Sequence, residues 1–211
     1  MDRLDISAGP TTVSDAVGDA TSVLLTGPTR DHRVTTAGVS FLSSPEPAAN
    51  HVHWVTTLRS PEDAVRTWTD QVATAPASLT VVGVGERRSA AEPQNAGQSD
   101  EPAYSTTHVE SPSALTTLGL RLTDGLTSST AAGRHRLWFE SLSTLLQFVP
   151  SADAFRFLHA LSARLTGAGA AGWFHLDPAL HDPRLLHTFL SVCDARVSVD
   201  VDAEELVVRR R

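Results

Sequence analysis

Apolar residues follow two alternating patterns along this chain, and together they predict its secondary structure. Short runs rich in β-branched residues alternate with longer stretches in which apolar residues recur every three or four positions. The first pattern predicts buried strands, and the second predicts amphipathic helices. Their alternation is typical of βα units arranged around a parallel sheet. The chain is therefore predicted to form a three-layer α/β domain with about six or seven strands.

Seven segments have the strand pattern and five have the helix pattern. The predicted strands are Ser22–Thr26, His51–Thr57, Leu79–Val84, Arg136–Glu140, Ala171–Leu176, Arg196–Val201 and Glu205–Val208. The last two are expected to close the sheet as a terminal hairpin. The predicted helices are Arg33–Leu42, Pro61–Ala73, Ser113–Thr127, Ala152–Thr166 and Pro183–Cys193. The second of them has a strong start signal in Ser60-Pro61-Glu62-Asp63, which places proline and two acids after an N-cap serine.

One long segment has neither pattern. Residues 86–112 are polar, contain three prolines and have almost no apolar residues. Such a composition cannot bury enough apolar surface to form a core, so it predicts a flexible surface loop. Apart from this loop, the 211-residue chain is predicted to be a single domain spanning residues 1–211.

The charge composition is unusual because all 17 basic residues are arginines, set against 24 acids, for a net charge of −7. A net negative charge opposes non-specific binding to nucleic acid. A lysine-free, acidic chain favours a halophilic source, since carboxylates hold water and cations at salt concentrations that screen most charge interactions. A GC-rich genome, which exchanges lysine for arginine, is the alternative explanation.

The remaining composition predicts a cytoplasmic protein. Cys193 is the single cysteine, so no internal disulfide can form, and it lies in an apolar run where a buried core position is expected. No stretch approaches the roughly 18 consecutive apolar residues of a membrane span. Residues 1–5 have no pattern typical of a signal peptide.

The segment after the first predicted strand is the most informative for chemistry. Gly27-Pro28-Thr29-Arg30-Asp31-His32-Arg33-Val34 has the length and strand-to-helix position of the phosphate-binding motif G-x-x-x-x-G-K-[ST]. Gly27 matches the first glycine. His32, Arg33 and Val34 replace the second glycine, the lysine and the Mg²⁺-binding hydroxyl, and Thr35 comes one place too late. Arginine still grips phosphate, although its planar fork is larger than an ammonium group. The alternative is a simple turn between strand and helix.

The order of motifs along the chain resembles that of the RecA-superfamily ATPases of the KaiC type, and in particular a haloarchaeal group of degenerate, HTR-like relatives. The resemblance spans roughly residues 14–208. It is carried by residues 22–42, Val55-Thr56-Thr57-Leu58-Arg59-Ser60-Pro61-Glu62, Ser111-Pro112-Ser113-Ala114-Leu115-Thr116-Thr117-Leu118-Gly119, Leu137-Trp138-Phe139-Glu140-Ser141-Leu142-Ser143, Phe155-Arg156-Phe157-Leu158-His159 and Phe174-His175-Leu176-Asp177-Pro178. It implies a RecA-like fold, related to that of P-loop NTPases, and self-association into rings or filaments.

The resemblance also implies that catalysis has been lost. Active relatives have a glutamate pair just before Ser-Pro to activate water, and these positions correspond here to Leu58 and Arg59. Glu140 corresponds to the Walker B aspartate that acts on Mg²⁺. The expected function is therefore a silent module that binds an unidentified protein partner in signalling, motility or cell organisation, with no cofactor.

The alternative is a nucleotide-binding switch or slow ATPase that uses Arg33 in place of lysine. Its ATP and Mg²⁺ would lie against a vestigial site of Gly27, Thr29, Arg30, Arg33 and Glu140. The competing interpretation of these residues is structural, with the two arginines at a solvated helix entrance. Glu140 would then be paired with Arg134 or Arg136.

Other residue groups allow weaker hypotheses. His51 and His53 share one strand face, and His175, Asp177, His181 and Asp182 gather after another strand, so either group is a candidate metal site. For Asp177 the preferred interpretation is that it caps the following turn by accepting backbone N–H bonds. A hydrolase would need Ser141 or Ser143 beside His159 or His175, but neither serine lies in a G-x-S-x-G motif. The four tryptophans are predicted core residues, with Trp68 as a candidate exposed anchor for a partner.

Overall fold

The computed structural model describes residues 2–5, 15–85, 104–127 and 133–210. The strands are β1 Asp2–Asp5, β2 Ser22–Thr26, β3 Asn50–Thr56, β4 Ser78–Val84, β5 Tyr104–Val109, β6 Arg134–Phe139, β7 Ala171–Leu176, β8 Ala195–Asp200 and β9 Glu205–Arg210. The helices are α1 His32–Leu42, α2 Pro61–Gln71, α3 Leu115–Thr127, α4 Leu142–Leu145, α5 Ser151–Gly167 and α6 Pro183–Leu190. Every predicted strand and helix is present, with bounds shifted by a few residues at most.

All these strands belong to one sheet, in the order β1-β9-β8-β2-β7-β6-β3-β4-β5. Neighbouring strands from β8 to β5 are parallel. The hairpin of β8 and β9 is antiparallel as predicted, and β1 extends it in the same antiparallel sense. The predicted α/β class and mainly parallel sheet are confirmed. The described residues form nine strands rather than six or seven.

The sheet has a separate apolar core on each face. One core lies beneath α1 and α2, and the other lies beneath α3, α5 and the end of α6. Central strands such as β3 are buried along their whole length because both faces are covered. The predicted three layers are therefore present. Within the described residues, no helix combines the length and apolar character that a membrane crossing requires.

Three tryptophans form a row across the α1 face of the sheet. Trp54, Trp138 and Trp173 occupy paired positions on β3, β6 and β7, and all three are fully buried. Phe41 of α1 stacks on Trp173 with ring centroids 4.6 Å apart. Gly38 of α1 lies so close to Trp138 that an added Cβ would come within 2.4 Å of the indole ring. A glycine at this position therefore lets the helix approach the tryptophan row.

We expect Gly38→Ala to lower the free energy of unfolding by about 2 kcal/mol, because the clash outweighs the gain of roughly 1 kcal/mol in helix propensity. The matched control is Gly119→Ala in α3, where an added Cβ would meet one Phe157 atom at 3.7 Å, an ordinary contact. That control should be neutral or slightly stabilising. Urea unfolding followed by circular dichroism compares the two. Equal effects of both substitutions would contradict the role assigned to Gly38.

The start of α2 follows its prediction closely. The Ser60 side chain accepts a hydrogen bond from the Asp63 backbone N–H at 3.1 Å, Pro61 is the first helical residue, and two acids lie in the first turn. Trp68, predicted as a possible exposed anchor, is only 3% exposed and packs in the core beneath this helix. It is therefore not a surface residue.

The prediction of a flexible loop over residues 86–112 is partly wrong. Residues 86–103 lie outside the described residues, but Tyr104–Val109 form β5, which pairs in parallel with β4 along its whole length. This strand is rich in serine and threonine and has one described neighbour, so its half-exposed side chains give no apolar pattern. The polar composition of β5 is therefore the reason that the sequence analysis did not predict a strand there. The four-residue β1 was missed for a similar reason, because it is short and charged, with Arg3 paired to Glu205 of β9 at 2.7 Å.

Candidate functional site at the carboxyl ends of the central strands

The strand order contains the kind of reversal at which ligands bind in open α/β sheets. β2 lies between β7 and β8, and the chain leaves β2 towards α1 on one face of the sheet but leaves β7 towards α6 on the other face. Such a reversal opens a crevice beyond the carboxyl ends of the two strands. The loop from Gly27 to Asp31 lies at this point, as the sequence predicts.

The loop is closed by a carboxylate from β7's side of the crevice. The Thr29 backbone N–H donates to Asp177 Oδ2 at 2.6 Å. Gly27 is packed so tightly that a Cβ would come within 2.7 Å of Val34 Cγ2, and Arg30 has a positive φ of 69°. A backbone N–H is the kind of group with which phosphate-binding loops hold their ligand. Here that donor is already bound to the side chain of Asp177.

A second carboxylate occupies the entrance of α1. Asp31 caps the helix by accepting the Arg33 backbone N–H at 2.9 Å, and the same carboxylate receives the Arg33 side chain at 2.8 and 2.9 Å. Hydrogen bonding from Arg33 lowers the pKa of Asp31 to about 2. Arg33 also donates to the Val201 carbonyl. The arginine that replaces the motif's lysine is thus engaged within the chain. Arg30 is exposed at the same loop.

Glu140 lies at the end of β6 in an ion pair that the sequence prediction did not include. It is 2% exposed, and its Oε1 receives Arg59 Nε at 2.7 Å and Nη2 at 2.6 Å. The prediction that Glu140 pairs with Arg134 or Arg136 is therefore wrong. The Arg59 guanidinium further donates to Thr35 and Thr67 and lies 5.7 Å from the centre of the Trp54 ring. Burial raises the pKa of Glu140, and Arg59 acts in the opposite direction.

His175 joins the ends of three strands inside the crevice. This fully buried residue of β7 has Nδ1 2.8 Å from the Glu140 carbonyl and Nε2 2.9 Å from the Gly27 carbonyl. A neutral ring donates to one of these carbonyls, and a doubly protonated ring donates to both. Burial lowers the pKa of His175, while the two carbonyls and Asp177 act in the opposite direction. The ring fixes the loop after β2 to the end of β6.

In the candidate hydrolase site, the two serines contact groups other than the predicted histidines, and both serines are buried. Ser141 caps α4 through the Thr144 N–H, and Ser143 lies 2.9 Å from His181 Nε2 rather than beside His159 or His175. Ser143 is only 1% exposed and its Oγ also accepts the Asp177 N–H at 2.9 Å. A buried hydroxyl in these contacts positions the Asp177 turn instead of facing a substrate. Asp177 also caps that turn through the Ala179 N–H, as predicted.

The candidate metal groups do not form a ligand set. No group of three or more histidine, cysteine or carboxylate side chains among the described residues has metal-binding geometry. His51 and His53 share a face of β3, as predicted, and His135 of β6 stacks against both, with ring centroids 4.7 and 5.3 Å away. His53 Nε2 lies 3.0 Å from His135 Nδ1, within hydrogen-bonding distance. Cys193 is buried, as expected.

The comparisons with known proteins assign a family and a fold. A family model, described as a family of unknown function (DUF7504), matches residues 20–199. The chain belongs to the DUF7504 family. The match contains the crevice residues Gly27, Thr29, Arg33, Glu140 and Asp177, so the site described above lies inside the DUF7504 domain.

A solved structure shares the fold over nearly the whole length of this DUF7504 protein. It comes from a structural study of Project ID PH0250 from Pyrococcus horikoshii OT3, with a TM-score of 0.59 and 9% identity over 96% of this chain and 92% of that one. At such low identity the similarity shows the fold alone. No curated protein matches the chain.

The structure thus brings Gly27, Thr29, Arg30 and Arg33 together at one loop after β2 and places Glu140 at the end of β6, which is separated from β2 by β7. Sequence reasoning missed the acidic partner of the loop and the basic partner of Glu140. Asp31 carried a detectable signal, since an aspartate directly before a predicted helix is a good N-cap. The contacts of Asp177 with Thr29 and of Arg59 with Glu140 had no detectable signal in the sequence, because each contact joins positions far apart in the chain.

Proposed function

We propose that this DUF7504 protein is a catalytically silent, RecA/KaiC-like module that acts by binding another protein in signalling, motility or cell organisation. The proposal rests on one observation, which is that carboxylates of the chain itself bind the N–H donor and the arginines that a phosphate site would use. Asp177 binds the Thr29 N–H, Asp31 pairs with Arg33, and Glu140 pairs with Arg59. A fold retains its surfaces after such a loss, since fold and activity are separable.

The requirements of phosphoryl transfer support this reading. The reaction needs a compact cation at the terminal phosphates, a magnesium site and a group that positions the attacking water. Val34 offers no hydroxyl to Mg²⁺, and Arg59 stands where the resemblance requires a carboxylate. Glu140 is neutralised by Arg59 at 2.6 Å, which leaves it a weak ligand for a cation. Arg33 and Arg59 are therefore each paired with a carboxylate of the chain itself.

The proposal also assigns the protein to the cytoplasm of a halophilic archaeon. It rests here on the lysine-free sequence, the net charge of −7 and the single cysteine. Self-association is part of the proposal by analogy with the RecA-like proteins that the chain resembles.

Thermal unfolding in multimolar KCl with increasing Mg²⁺-ATP tests the proposal. A ligand that binds only the native state raises its stability by about 2.7 kcal/mol at a hundredfold excess over Kd. We expect no shift in the parent protein up to several millimolar ATP. A saturable rise that disappears in Arg33→Ala, but persists in the matched control Arg121→Ala on α3, would instead establish the alternative nucleotide-binding switch.

A further inference from the structure

One face of the β8–β9 hairpin is polar and only partly covered. Along β8, residues 195, 197 and 199 point into the core beneath α1, so residues 196, 198 and 200 point to the opposite face. These three side chains are half-buried, and Arg209 of β9 on the same face is exposed. The hairpin therefore presents a sheet surface outside both apolar cores.

Two arginines face each other on this surface. Arg196 and Arg209 are directly paired across the antiparallel strands, so their side chains leave the sheet side by side. Like charges directly opposite one another destabilise a sheet. Within the described residues, neither guanidinium has a carboxylate within ion-pair distance. The pair is thus a local concentration of positive charge on a protein of net charge −7.

Arg196 is also held in a fixed position. Its Nε donates to Thr26 Oγ1 at 3.1 Å, and Thr26 in turn donates to Ser198 at 3.0 Å. Burial lowers the pKa of Arg196, and the neighbouring charge of Arg209 lowers it further. Arg33 and Arg59 are half-buried too, but each is neutralised by a carboxylate of the chain. Arg196 has no such carboxylate partner among the residues that the structure describes, and an arginine side chain stays protonated.

We propose that Arg196 and Arg209 form the docking surface for an acidic segment of the partner protein. This inference rests on the proposed function and names the chemistry of the partner. A planar guanidinium binds a carboxylate through two parallel hydrogen bonds, which are stronger than hydrogen bonds between neutral groups. A segment rich in glutamate or aspartate relieves the repulsion between the two arginines. Asp200 and Glu205, which are paired at the other end of the same hairpin, repel such a segment, so binding is restricted to the end that carries Arg196 and Arg209.

The test is a fluorescence-anisotropy titration with fluorescein-labelled hexaglutamate, at the lowest KCl concentration at which circular dichroism shows the full chain folded. The test variant is Arg196→Gln with Arg209→Gln. The matched control is Arg121→Gln with Arg164→Gln, which removes the same charge from exposed arginines on α3 and α5. We expect saturable binding by the parent, at least a tenfold higher Kd in the test variant and less than about a twofold change in the control.

The outcomes separate this inference from the proposed function. Equal weakening in both double variants would mean that net charge alone attracts the peptide, and would overturn the docking surface. Absence of binding by the folded parent would overturn it as well. Either result leaves the silent module intact if Mg²⁺-ATP has no effect on stability, whereas a response to ATP would refute the proposed function without changing the peptide result.

Discussion

Arg59→Ala is expected to lower the free energy of unfolding by about 3 kcal/mol at pH 8, because it leaves a buried carboxylate without its counter-charge. Glu140 is 2% exposed and has Arg59 Nη2 at 2.6 Å. The same substitution removes the contacts of the guanidinium with Thr35 of α1 and Thr67 of α2. Arg59 therefore holds together a strand end and two helices, and urea unfolding measures the loss.

The loss should depend on pH with a defined sign. Burial already raises the pKa of Glu140, and removal of Arg59 raises it further. A carboxyl whose pKa is higher in the folded state than in the unfolded chain costs little stability at low pH and progressively more as the pH rises. Arg59→Ala should therefore be less damaging at pH 5 than at pH 8. A loss independent of pH would contradict the electrostatic explanation.

A double variant separates the missing charge from the missing contacts. Arg59→Met with Glu140→Gln removes both charges and keeps side chains of similar length, so it should recover more than half of the stability lost in Arg59→Ala. If the double variant is as unstable as the single one, the ion pair is not the cause. This experiment also bears on the site, since a neutral position 140 cannot act on a metal.

The strands were predictable because a strand that is buried on both faces of the sheet has a continuous run of apolar residues in the sequence. β2 and β7 are buried along almost their whole length, and their predicted bounds agree with the structure. The same reasoning fails at the sheet edges. β5 has one described neighbour and β1 is a four-residue charged strand, so neither has the apolar run of a central strand.

The candidate site was predictable in position but not in its contacts. A strand, a glycine and a helix start suffice to locate the loop from Gly27 to Arg33. The contact of Asp177 with Thr29 joins residues 148 positions apart, and that of Glu140 with Arg59 joins residues 81 apart. Both depend on strand order, since they bring together ends of strands that are distant in the chain. No local sequence pattern contains the strand order. The strand order nevertheless decides whether the N–H of Thr29 is available to a ligand or is bound by Asp177.

The stability of the protein should fall below neutral pH, and His53 should account for a defined part of that fall. Burial lowers the pKa of His53 to about 3, and the neighbouring His135 and His51 lower it as well. The unfolded chain binds a proton near its ordinary pKa of 6.5, which the folded protein does not bind until the pH reaches about 3. The stability that His53 contributes is therefore complete about one pH unit above 6.5 and is lost as the pH falls through 6.5 towards 3. His53 alone should remove about 2 kcal/mol between pH 7.5 and pH 5.

The variant His53→Gln isolates this contribution, since glutamine is polar but does not titrate. It should be less stable than the parent at pH 7.5, yet its stability should fall by about 2 kcal/mol less on going to pH 5. Part of the pH dependence remains, because burial also lowers the pKa of His135, His175 and His181. The control is His159→Gln on the exposed side of α5. Because the measured quantity is the change with pH, a general loss of stability in the variant does not obscure it. A parent and a variant with the same pH dependence would show that His53 is not buried in the neutral form.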